Sequence, residues 1–414
     1  MQRRSGVCRP PVLGAVAAVL VLFVCACGRA TPTPPAATIR FACSDEDLGY
    51  YDQMAHTFAE QHPGVTVTLV PKRPAALGAI DPRECDAFIV GDSSAPRLAQ
   101  GGVASLESWL GEHAAAVKAD FYSTALAPFV RDGKTWAVPT GIDPVVMFYN
   151  KTLFDERGTP YPAPGWTWDD FLQIARSLRR GGSGVYGYAA GVWPDEALLF
   201  VLQHGGNIVD DWQNPTRATF DDPATVEAME WYAELMYRHD VSPNPDEARA
   251  FFGGGRQAAY NGVLQGKVGM WMGPYSSRTA LDAHEPRINY GVVTLPVDRQ
   301  AVTLAQVEGV AVSTEARNAA ICWEWALFLS RQVPRRLAPA RRALLESEQY
   351  AAQVGAEAAG AAREAMNHAL VLPAQPSELY SQAKTLWSKA VSNVASGRYG
   401  AYGALQEAQR QLGR

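Results

Sequence analysis

Apolar residues recur along the first hundred residues of this chain with two alternating periods. Thr38–Ala42 is a short β-type run, and Tyr50–Gln61 places Tyr51, Met54, Ala55 and Phe58 at helical spacing. His62-Pro63-Gly64 ends that helix, and Val65, Val67 and Leu69 then alternate as a strand. Ala87–Val90 reads as a further strand and Ser94–Gln100 as a helix stopped by Gly101-Gly102. Strand and helix in alternation predict an α/β fold with a parallel sheet covered on both faces. In such a sheet ligands collect at the carboxyl ends of the strands, which is where Ser44, Asp45, Glu46 and Asp92 stand. Further along, Val145–Tyr149 and Val268–Met272 read as strands, and so does Val310–Val312 with Glu308 just before it. Thr167 before Trp168-Asp169-Asp170 reads as a helix N-cap with acids in the first turn.

The first residues follow neither period. Arg3, Arg4 and Arg9 precede an uncharged apolar run from Pro11 to Val24, too short for a permanent span of roughly 20 residues. This is the layout of a secretion signal. Val24-Cys25-Ala26-Cys27 resembles a bacterial lipobox, with Cys27 as the lipidated new N-terminus; an ordinary signal cleaved near Ala30 is the alternative. Residues 1–26 are then a lipoprotein signal peptide. Residues 27–37, rich in Pro and Thr, form a flexible lipid-anchored tether.

Composition narrows the class without naming a function. The chain has 414 residues, 47% apolar and 19% charged, room for a large two-lobed body and too apolar for disorder. Its net charge is −5, falling to −8 once the three leader arginines are gone, and no basic run appears. Nucleic acid is therefore not an expected partner. Of the six cysteines, Cys43, Cys85 and Cys322 remain in the soluble body. Cys43 ends one predicted strand and Cys85 precedes another. Neighbouring parallel strands bring these sulfurs within bonding range, so a Cys43–Cys85 disulfide is expected. No paired Cys or His spacing supports a metal site. Gly266-Lys267 lacks the second glycine and the Ser or Thr of a phosphate loop, and no cofactor is implied.

The middle of the chain carries a longer text. Gly133–Pro139 leads through Asp143 into Val145–Tyr149, Asn150-Lys151, Leu153-Phe154 and Trp166–Phe171. Gly205-Gly206-Asn207-Ile208, Gly266–Met270, Gly273-Pro274-Tyr275, Tyr290-Gly291-Val292, Leu295-Pro296 and Ala395–Arg398 follow in order. This succession closely resembles the maltose-binding type of extracellular solute-binding protein (family 1), the lipoproteins that serve bacterial carbohydrate ABC transporters. The resemblance implies a two-lobed periplasmic-binding fold of type II, hinged around an inter-lobe cleft. Its first lobe comprises 38–142 plus 292–330, and its second 143–291 plus 331–414. It further implies a monomer on the extracellular face of the cell membrane, or in the periplasm if there is an outer membrane. Such a protein binds a sugar and delivers it to ABC permease subunits powered by a separate ATPase.

Carbohydrate recognition needs flat apolar surfaces for C–H faces and acceptors for hydroxyls, supplied by aromatic rings and carboxylates. Trp193 and Tyr275, both in loops, are candidate platforms. Trp271 is a third, although its place in an alternating strand suits a core residue. By resemblance, Asp143 lies where the chain first crosses between lobes and accepts sugar hydroxyls. Asp45, Ser44, Asp92 and Glu308 are expected at loop tips facing the same cleft. Acids with aromatics also suit a non-sugar solute such as a polyamine, and a phosphate ester or peptide stays open. A secreted carbohydrate-active enzyme is the competing class. No Ser, Cys or His constellation accompanies the acids, so binding without catalysis is expected.

Overall fold

The computed structural model describes residues 37–73, 80–193, 195–374 and 377–412. The leader, most of the tether and the lipidation candidate Cys27 lie outside the described residues. Strands β1 (Ala37–Ser44) and β2 (Val65–Lys72) pair in parallel, from Ala37 opposite Val65 to Ser44 opposite Lys72. The helix Leu48–Gln61 makes the crossover between them and buries Tyr51, Ala55 and Phe58, one face at i, i+4 and i+7. Strand β3 (Ala87–Gly91) lies parallel on the other side of β1. The expected helix at Ser94–Gln100 is shorter, Ala95–Leu98, preceded by a 3-10 turn at Asp92–Ser94.

A small hairpin joins β4 (Val130–Arg131) and β5 (Lys134–Thr135). Its tip is Asp132-Gly133 with φ of 52° and 72°, the positive pair that a right-twisted two-residue hairpin requires. The remaining strands are β6 (Val138–Asn150), β7 (Tyr186–Tyr188), β8 (Val268–Pro274), β9 (Tyr290–Val293), β10 (Thr303–Val312), β11 (Ala338–Pro339) and β12 (Ala369–Leu370). Among the described residues, the main sheet runs β2-β1-β3-β10-β6-β8-β7, with β9 and β11 also on β6 and β12 on β10. It is mixed rather than parallel: β10 is antiparallel to both β3 and β6, and β6 is antiparallel to β8 and β9. Local strand–helix alternation reads only the parallel first segment. The later strands return from distant sequence and reverse direction.

Strand β6 organises the molecule. Its first half pairs with β10, Val138 opposite Val310 and Asp143 opposite Gln306; its second half pairs with β8, Val145 opposite Pro274. Side chains alternate across its last residues. Val146 and Phe148 enter one core, whereas Val145, Met147 and Tyr149 enter another that also receives Trp168, Phe171, Phe200 and Trp387. Thr167 caps the helix Trp168–Leu178 as expected, with the Asp170 carboxylate accepting in return from the Thr167 backbone N–H at 2.8 Å.

Past residue 331, where the second lobe is expected to resume, the chain makes contacts back to earlier residues. β11 pairs with β6 at Ile142 and Gly141, Arg335 and Arg336 bond Asp47, and Arg341 bonds Asp120. All of these hold residues 335–341 against first-half elements.

The proposed disulfide is also corrected. β1 and β3 are indeed neighbours, yet Phe41 faces Ala87 and Ala42 faces Phe88. In that register Cys43 and Cys85 stand four residues apart along the strands, roughly 13 Å, while a disulfide needs Cα atoms within about 7 Å. Cys43, Cys85 and Cys322 are buried free thiols.

Candidate functional site

A cleft of 310 Å³ opens where β6 exchanges β10 for β8. Asp92, Asp143, Val145, Trp193, Asp195, Leu304 and Gln306 line it, joined by Leu372–Ala374, Tyr380 and Lys384. Asp92 enters from the turn after β3, and its Oδ1 accepts from the Val307 backbone N–H at 3.0 Å. Asp143 stands inside β6, and its Oδ1 accepts from the Ser276 backbone N–H at 2.8 Å. Burial pushes both carboxyls above the usual range, opposed at Asp92 by the Val307 N–H and at Asp143 by the Ser276 side chain and then its backbone N–H. The Ser276 side chain also hydrogen-bonds the Asp143 carboxylate.

Trp193 is half-buried and packs against the second core. The Glu196 N–H donates to the Trp193 carbonyl at 3.4 Å, and the Gly191 N–H donates to Glu196 Oε2 at 3.1 Å. Glu196 thus spans both ends of the Trp193 loop. It is fully buried, and burial raises its pKa to about 8. Across the cleft the helix Glu378–Ala395 presents Tyr380 and Lys384 one turn apart, with Lys384 4.0 Å from Asp195.

The structure brings together three of the residues expected from sequence: Asp92, Asp143 and Trp193. Tyr275 is not among the cleft residues. It is fully buried, its hydroxyl is 2.6 Å from that of Tyr350, and the Arg278 guanidinium covers its ring at 3.8 Å. Trp271 is core, stacked on Phe148 with centroids 5.7 Å apart. Ser44 is buried and caps the next turn, accepting from the Glu46 N–H. Asp45 is exposed in that turn and does not line the cleft.

Glu308 lies within β10, two residues from Gln306 and therefore on the same face. It lines an adjoining 30 Å³ recess with Asp47, Tyr50, Tyr51 and Arg336. Burial raises its pKa to about 7, with Arg336 at 3.6 Å opposing the shift.

Sequence reasoning missed Asp195, Gln306, Tyr380 and Lys384. Asp195 shares a loop with Trp193 and could have been taken with it. Tyr380 and Lys384 arrive from a helix nearly 190 residues away, and no local pattern marks them.

The sequence profile of the bacterial extracellular solute-binding proteins matches residues 44–332. The chain belongs to that family. A relative named as a binding protein in Brucella abortus is 23% identical over 295 residues, covering 68% of each chain. The fold is similar to that of an ABC substrate-binding protein of Listeria monocytogenes solved with cycloalternan. That match has a TM-score of 0.73 and 20% identity, and it covers 91% of this chain and 98% of the other. The cyclic α-maltosyl-1,6-maltose binding protein of Arthrobacter globiformis gives 0.71 at 19% identity, covering 91% and 98%. The architecture is that of the two-lobed solute-binding proteins.

Proposed function

We propose that this protein binds a sugar or oligosaccharide outside the cell membrane and delivers it to an ABC permease, without transforming it. The carrying observation is the pairing of Asp92 and Asp143 with the Trp193 indole across one cleft. Each carboxylate is fixed by a backbone N–H through one oxygen, and ordered acceptors are what sugar hydroxyls require. The indole and the apolar wall of Val145, Leu304 and Pro373 suit the C–H face of a pyranose. The names of the two solved neighbours, a substrate-binding protein solved with cycloalternan and a maltosyl-maltose binding protein, support the same reading. Closure of two halves about the β6 and β10 crossings is the motion that commits a ligand to the permease.

The lobes are proposed to divide at these crossings, with the return near 331 moved beyond Arg341. Membrane anchoring through Cys27 belongs to the same proposal. It rests on the sequence of the leader, and lipid labelling lost in Cys27→Ala tests it. The binding reading is tested by native mass spectrometry of ligand carried through purification, followed by calorimetry with the sugar so identified. A purified protein that binds no mono- or oligosaccharide across a broad panel overturns it.

A further inference from the structure

Beside β9, and sharing no lining residue with the cleft, a groove of 670 Å³ is lined by Arg278, Asp282 and Arg287, by Tyr290, and by the start of the helix Ala356–Met366. We propose that this groove is a second binding site, for a small oxyanion such as a phosphate or a dicarboxylate.

Two independent observations carry it. The first is Arg278, a guanidinium only 8% exposed. Its Nε donates to the Tyr275 carbonyl at 3.2 Å and its plane covers the Tyr275 ring, but its two terminal nitrogens have no acceptor among the described residues. Those nitrogens are not sealed in the protein, so they open to the groove that Arg278 lines. A buried cation without a counter-charge is costly, and an anion supplied from outside removes that cost. The carboxylate whose field Arg278 reaches, Asp143, lies beyond ion-pair distance.

The second is the helix itself. Its N-cap is Gly355, which has no side chain to cap with, and the first intrahelical bond is Ala359 N–H to Gly355 C=O. The N–H groups of Ala356, Glu357 and Ala358 therefore lack acceptors among the described residues, and all three residues line the groove. Free N–H groups at a helix start carry partial positive charge and bind oxyanions.

The carboxylates present do not fill this role. Glu357 turns away to accept from Val292 N–H, Tyr149 and Lys151 at 2.6, 2.9 and 2.6 Å. Asp282 accepts from Tyr290 at 2.9 Å and lies 4.0 Å from Arg287. With Lys151 balancing Glu357 and Arg287 balancing Asp282, the charge of Arg278 is left over.

The test is calorimetry and thermal melting of the whole protein with inorganic phosphate and with succinate, against chloride at equal ionic strength. Saturable binding and a raised melting temperature are expected for the oxyanions. Arg278→Met keeps the stem on Tyr275 and should weaken binding at least tenfold. Arg287→Ala, at an exposed position, should weaken it several-fold, and Asp282→Asn should tighten it. Trp193→Ala acts in the cleft and should leave anion binding unchanged, which separates this site from the sugar reading. If Arg278→Met fails to fold, the opposite effects of Arg287→Ala and Asp282→Asn decide the matter. No saturable binding beyond chloride, or equal binding in all the groove variants, overturns the proposal.

Discussion

Asp143→Asn tests the second oxygen of one cleft carboxylate as a ligand acceptor. In the native protein Oδ1 is committed to the Ser276 N–H, so the amide oxygen of Asn must take over that bond. The NH2 group is then turned into the cleft, where it can donate but cannot accept a sugar hydroxyl. A charge-assisted bond contributes about 1.5–3 kcal/mol, and losing it should cost about 2 kcal/mol, roughly 30-fold in Kd. Stability should not fall. Burial raises the Asp143 pKa, so its contribution to stability is full below the unfolded value and is lost as pH rises through the folded one. At neutral pH a neutral amide is therefore at least as well tolerated as the carboxylate. Asp143→Ala differs, because it also leaves the Ser276 N–H unpaired and should lower stability by about 1–3 kcal/mol. Calorimetry with the identified sugar, beside thermal melts, separates the two effects. An unchanged Kd in Asp143→Asn refutes the assignment of this oxygen to the ligand.

Other expectations follow from the same geometry. Trp193→Ala should weaken sugar binding by about 1–2 kcal/mol, whereas Tyr275→Phe should leave Kd alone and cost about 1 kcal/mol of stability, since Tyr350 loses its partner. The reverse pattern in paired titrations and melts would place the sugar on Tyr275. Glu196→Gln mimics the protonated acid. The stability that wild type loses between about pH 4.5 and 8, as this raised carboxyl must ionise, should be retained in the variant, and parallel pH–stability curves would sink the claim. Mass mapping of denatured, unreduced protein should find Cys43, Cys85 and Cys322 all alkylatable. In the native protein they should react slowly, because burial pushes each thiol up to about 12. A linked Cys43–Cys85 peptide would contradict the strand register.

Sequence alone determined what depends on neighbours within a few residues. The crossover helix Leu48–Gln61 and the Thr167 cap are local in this sense: period and a side chain reaching three residues on suffice. The order of motifs along the chain carried the family, and with it the expectation that Asp143 lines the ligand cleft. Tertiary structure decided which aromatic lines the cleft and which the core. Trp193 and Tyr275 both follow glycine-bearing turns, but Tyr275 sits where β8 ends under Arg278 and Tyr350, contacts set by residues 3 and 75 positions away. Strand direction and register were likewise outside the reach of the sequence. A parallel neighbour offset by four residues keeps Cys43 and Cys85 apart, and pairing of β10 with β6 across more than 150 residues creates the cleft wall to which Gln306 and Leu304 contribute. Periodicity fixes which way a side chain points relative to its own strand; what it meets there is fixed by whichever distant strand or helix packs against it.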